Sequence, residues 1–228
     1  MIKAKSGGST QRELIPKGMH IARCYSMVHI GTVQWEYMGE VKYSDKIRIT
    51  WELPNLKKVF KEENGEQPFV ISKEYTLSMH EKSNLTADLQ SWRGKDFTPQ
   101  EADDFDVTTL LSVPCTLNIV HKEAKNGNTY SNVGNVNPVM AGMDIPKQSN
   151  PNFEFNYDES FDLDWLESQP DFIKEMIKST PEYKGRIKEL ESNEESKKMD
   201  ADLSQSIGND EKDLPIGDLP EEEDGLPF

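Results

Sequence analysis

The chain has 228 residues, 35% of them hydrophobic, and a formal net charge of −15. That length holds one domain of ordinary size with appendages, and the low apolar fraction leaves part of the chain unpacked. No apolar run approaches the roughly 20 residues that cross a bilayer, no signal core opens the chain, and two cysteines with four scattered histidines lack metal-ligand spacing, so no membrane, metal or cofactor is expected.

The charge is unevenly placed. Residues 1–147 carry 18 Lys+Arg and 18 Asp+Glu, whereas residues 148–228 carry 8 and 23. The first part is neutral and can still gather its cations on one face; the second repels nucleic acid. Residues 1–15 read as a flexible leader. Cytoplasm is the expected compartment, and Cys24 and Cys115, both in strand-like apolar runs, are expected to be buried free thiols.

A domain is expected over residues 16–140. Met19–Ile30 is rich in β-formers, Gly31 marks a bulge or bend, and Val33–Tyr37 continues the strand to a turn at Met38-Gly39-Glu40. In Lys46–Leu53, Ile47, Ile49, Trp51 and Leu53 share one face and Lys46, Arg48, Thr50 and Glu52 the other, with Pro54 expected to end the strand. Asn64-Gly65 signals a turn before a third strand over Phe69–Met79. Ser83 or Asn84 caps a helix whose Leu85, Leu89 and Trp92 lie on one face and which Gly94 ends. A short helical or looped piece starts at Thr98 or Pro99, with Asp103, Asp104 and Asp106 solvated and Leu110-Leu111 as anchor. Strands over Cys115–His121 and Thr129–Val136 flank Asn126-Gly127, the strongest hairpin signal in the chain. Three strands, a helix and two strands is the order of a five-stranded barrel of the oligonucleotide/oligosaccharide-binding (OB) type. The competing arrangement is an unclosed sandwich with a helical insert. Residues 141–191 read as a linker with short amphipathic helices at Phe161–Leu166 and Pro170–Lys178. The second takes its apolar face from Phe172, Ile173, Met176 and Ile177, and docking on the barrel is the favoured arrangement. Residues 192–228 read as a disordered acidic tail.

Enzyme signatures such as a P-loop, Gly-x-Ser-x-Gly or His-Glu-x-x-His are missing from the sequence, so no catalysis is expected. A sequence-independent single-strand binder needs cations for phosphates and flat aromatic faces for bases. Trp35, Tyr37, Lys42 and Lys46 flank the first turn. Arg48 lies on the polar face of the second strand, and Lys73 and Tyr75 share a face of the third. Tyr130 stands opposite Lys122 across the last hairpin, and Arg23 lies in the first strand. In an OB barrel Arg48, Lys73 and Tyr75 would occupy the groove, with Trp35, Tyr37 and Tyr130 at its lips. Tyr75 also shares its face with Phe69, Ile71, Leu77 and Met79, so core and groove are both open to it, whereas Trp51 and Trp92 fall on core faces.

The segments Trp51–Pro54, Ile71–Lys82, Leu89–Gly94, Leu117–His121 and Tyr130–Val133 resemble a family of phage-encoded replication proteins that bind single-stranded DNA. The resemblance spans roughly residues 18–183. It implies the OB barrel, a role in phage replication or recombination in the host bacterial cytoplasm, and no enzymatic activity; self-association stays open. The last eight residues, Glu221-Glu-Glu-Asp-Gly-Leu-Pro-Phe228, resemble the C-terminal tip of bacterial and phage single-stranded-DNA-binding proteins. Glu223, Asp224, Leu226, Pro227 and Phe228 are thus expected to enter a basic-rimmed apolar pocket on a replication or recombination protein. The alternative is an OB-fold adaptor that binds proteins and no DNA. The two separate on whether the cations gather on one face with the aromatics.

Overall fold

The structure, a computed structural model, describes residues 13–125 and 127–207. Strands β1 (Gly18–Tyr37) and β2 (Glu40–Val59) form one long antiparallel hairpin. Met38 and Gly39 join them with φ of 53° and 79°, the left-handed pair that matches the twist of a two-residue hairpin. Register breaks between Cys24 and Ser26 and between His29 and Gly31 bend β1, so the glycine marks a bulge as its sequence position suggests. Pro54 does not end β2. Pairing skips from Leu53 to Lys57 and resumes opposite Pro68, because a bulge lets the ladder pass a residue without an N–H.

Strand β3 (Glu66–Thr76) pairs with β2. Helix α1 (Asn84–Arg93) begins at Ser83, whose Oγ accepts the Thr86 N–H at 3.0 Å, and ends at Gly94 with φ 69°. Helix α2 (Pro99–Asp103) has a reciprocal cap between Thr98 and Glu101. The Thr98 amide, with Arg93 and Lys95, holds the Glu101 carboxyl down at about 2. Strands β4 (Pro114–Glu123) and β5 (Thr129–Asn137) complete the sheet path β3-β2-β1-β4-β5.

Alternation decides what is buried. Ile47, Ile49, Trp51 and Leu53 of β2 face inward against Cys24, Met27, Ile71, Leu117 and the Leu85/Leu89/Trp92 face of α1. Each such fully buried side chain contributes about 1.5–3 kcal/mol. Trp51 and Trp92 sit 6.1 Å apart in this core. Both cysteines are free and fully buried, and burial pushes the Cys24 thiol up to about 12.

The segment expected to be a linker builds a second core on the outer face of β1. A short strand, β6 (Phe153–Phe155), runs parallel to Ser26–Val28. It is followed by α3 (Leu163–Ser168), α4 (Asp171–Ser179) and α5 (Pro181–Ile207). Val28 and Ile30 pack against Phe155, Tyr157, Leu166, Ile173 and Ile177, so α4 docks as favoured from its amphipathic pattern. Three polar anchors fix this layer. The buried Glu52 carboxylate accepts the Ser149 and Asn150 N–H groups at 2.6 and 2.8 Å, and Tyr157 donates to the Ile30 carbonyl at 2.6 Å. Glu182 accepts from the Thr32 amide and hydroxyl at 3.0 and 2.6 Å.

The chain divides into two compact units at Lys184/Gly185. Helix α5 continues to Ile207, past residue 192 where charge density suggested disorder. From Arg186 to Ile207 no Gly or Pro interrupts a run of good helix formers. No described helix is long and apolar enough to cross a membrane.

Candidate nucleic-acid interface

Lys42, Ser44, Lys46 and Arg48 are two residues apart along β2, so they share the face opposite Ile47 and Ile49. Lys42 is directly opposite Trp35 in the hairpin and lies on the same face. Tyr37 is two residues further on. The Lys42 Nζ is 6.0 Å from the Trp35 ring centroid and 5.0 Å from that of Tyr37, and both rings are exposed, at 42% and 49%. An ammonium over two accessible π faces presents charge and stacking surface together. At about 3.3 Å per residue, Lys46 lies roughly 13 Å along the strand from Lys42, and Arg48 another 7 Å on. The Arg48 guanidinium is 6.0 Å from the Phe172 ring of α4, which is 54% exposed, and its Nη1 donates to Glu74 Oε1 at 2.7 Å. The outer face therefore carries a track of Tyr37, Trp35, Lys42, Lys46, Arg48 and Phe172. The second core covers its β1 flank.

The register overturns half of the expected groove. Arg48 pairs with Glu74, while Ile49 pairs with Lys73 and Ile47 with Tyr75. Lys73 and Tyr75 thus lie on the opposite side of the sheet from Arg48. Tyr75 is 4% exposed, and its hydroxyl donates to Asp88 Oδ2 at 2.7 Å; burial first and Asp88 second raise its pKa. Lys73 bonds the same Asp88 oxygen at 2.6 Å and reaches the Gly134 carbonyl at 3.3 Å, linking β3 to β5. Both residues belong to the core rim and not to a groove. Arg23 is also held by the fold, donating to the Pro146 and Ser112 carbonyls at 2.7 and 2.8 Å.

Lys122 and Tyr130 do face each other across β4 and β5, both exposed, Tyr130 at 46%. Their hairpin lies beyond the N-terminal end of β1, because Gly18 pairs with Ile119, whereas the Trp35 ribbon projects from its C-terminal end. The tip residues Glu223, Asp224, Leu226, Pro227 and Phe228 lie outside the described residues.

Three residues at or beside this face are not expected from the sequence. Phe172 has the helical spacing of a core residue, yet Ile173 and Ile177 take the buried face of α4 and leave Phe172 outside. His80 and Lys82 fall in the β3–α1 turn and border a cleft next to Lys46; basic residues in that loop were their only signal. No protein-family model matches the chain, and no curated protein sequence matches it.

Proposed function

We propose that the protein binds single-stranded DNA without sequence preference along the outer face of β2, as a phage replication or recombination protein without catalytic activity. The observation that carries this reading is that Lys42, Lys46 and Arg48 share one strand face with exposed Trp35 and Tyr37. Three of the four cations on which the DNA-binding and adaptor readings separate share this face, which supports DNA binding over the adaptor; the fourth, Lys73, lies on the other side of the sheet. The strand order with β1 shared between two ladders, the helix between β3 and β4, and the Lys73–Gly134 contact between the edge strands support an OB barrel as the scaffold. Bases would stack on Trp35, Tyr37 and Phe172 while the three cations neutralise phosphates. The acidic tip, repelled by DNA, would stay available to recruit replication proteins through Phe228.

Fluorescence-anisotropy titration of labelled oligo(dT), with duplex of equal length as control, tests the reading. Three phosphate contacts correspond to a slope of log affinity against log salt of about −2. Strong preference for the single strand with such a slope is expected. Absence of binding at low salt would favour the adaptor.

A further inference from the structure

The β3–α1 turn closes a cleft of about 440 Å³, bordered by Lys46 on β2, Glu74 and Thr76 at the end of β3, His80 and Lys82 in the turn, and Ser83 before α1. Lys42, Arg48 and Lys73 each pair with a carboxylate, whereas Lys46 and Lys82 pair with none among the described residues. The carboxylate in the cleft wall, Glu74, is engaged by Arg48 at 2.7 Å. His80 Nδ1 accepts the Lys82 N–H at 3.2 Å, which in the neutral ring places the proton on Nε2 as a donor. Ser83 Oγ is committed to the Thr86 amide and the Ser78 carbonyl, and the amides of Asn84 and Leu85 have no intrahelical acceptor. Two unneutralised ammonium groups and an imidazole donor thus border one cavity on the path of the β2 face.

We infer that this cleft is a phosphate-binding site, which seats a backbone phosphate of the strand bound along β2. The source of the phosphate rests on the DNA-binding reading; the chemistry of the cleft does not.

The full chain is titrated with thymidine 5′-monophosphate, with inorganic phosphate and with thymidine while amide resonances are followed by NMR. Shifts at His80, Lys82, Ser83 and Asn84 are expected with the two phosphates and not with thymidine. In parallel, oligo(dT) binding is compared for K46A/K82A and for K17A/K95A, which removes two exposed lysines that lie off β2. The cleft variant should bind about tenfold more weakly than this control at low salt and lose roughly 1.4 from a wild-type slope that Lys82, as a fourth contact, brings to about −2.8. If the wild type binds oligo(dT) but phosphates leave these amides unmoved and the two variants behave alike, the cleft assignment falls and the DNA-binding reading stands. If oligo(dT) does not bind yet both phosphates move the amides, the DNA-binding reading falls and the cleft stands as a site for a free phosphate ligand.

Discussion

Trp35 and Tyr75 divide the aromatic residues by what surrounds them. Trp35 is exposed beside Lys42, whereas Tyr75 is enclosed with its hydroxyl on Asp88. Replacing Trp35 with Ala should cost about 1–3 kcal/mol of single-strand affinity, roughly 5- to 150-fold, with little change in melting temperature. Replacing Tyr75 with Phe should do the reverse, lowering stability by about 1 kcal/mol and leaving affinity intact. Anisotropy and thermal melts on the two variants separate these roles, and a large affinity loss for Tyr75→Phe would return that residue to the groove. His29 gives a pH prediction. Its Nε2 bonds Asp45 Oδ1 at 2.7 Å, and this bond, against the opposing effect of burial, raises the imidazole above its usual 6.5. A folded value above the unfolded one stabilises the protonated state, so the contribution is whole below pH 6.5 and is lost as pH rises through the folded value. Thermal melts of wild type and His29→Gln should differ most below pH 6.5 and converge only above the raised folded value; a gap independent of pH would contradict the pairing.

Among elements, β1 carries the most constraint because both its faces are packed. At Gly31, φ is 92°, and an added Cβ would lie 2.8 Å from Glu182 Oε2 and 3.1 Å from the Tyr157 hydroxyl. Gly31→Ala therefore strains the bulge and displaces the second core, with a cost of about 1–3 kcal/mol or more visible in a urea melt. Glu52→Gln keeps volume but weakens the carboxylate bonds that hold Ser149 and Asn150, so limited proteolysis should cut near residues 145–152 faster than in the wild type. Alternation of apolar residues made β2, β3, β4 and the α1 face legible from sequence, since period 2 and period 3.6 mark buried faces directly. The side of the sheet on which Lys73 lies was not legible. A lysine inside an apolar alternation reads as a groove residue until the register sets it opposite Ile49 and beside Asp88. Nor was β6, because three residues give no periodicity, and it pairs with an edge of β1 left open where β4 stops at Arg23. The candidate site was legible as a list of cations and aromatics, and its face only in part.

For the whole molecule, charge and coverage act together. Residues 148–228 hold the entire negative excess, yet the portion that packs on β1 contributes Phe172 to the Arg48 end of the track. The domain can thus be neutral overall and still present Lys42, Lys46 and Arg48 on one open flank, where Glu40 and Glu74 pair with Lys42 and Arg48 and Lys46 pairs with no carboxylate among the described residues. The measurement that tests this placement most directly is photocrosslinking of oligo(dT) to the full chain followed by peptide mapping of the adducts. Adducts on peptides containing Trp35 or Tyr37, and on the one containing Phe172, are the expected result. Adducts confined to the Tyr130 hairpin, or none at saturating oligonucleotide, would contradict binding along the outer face of β2.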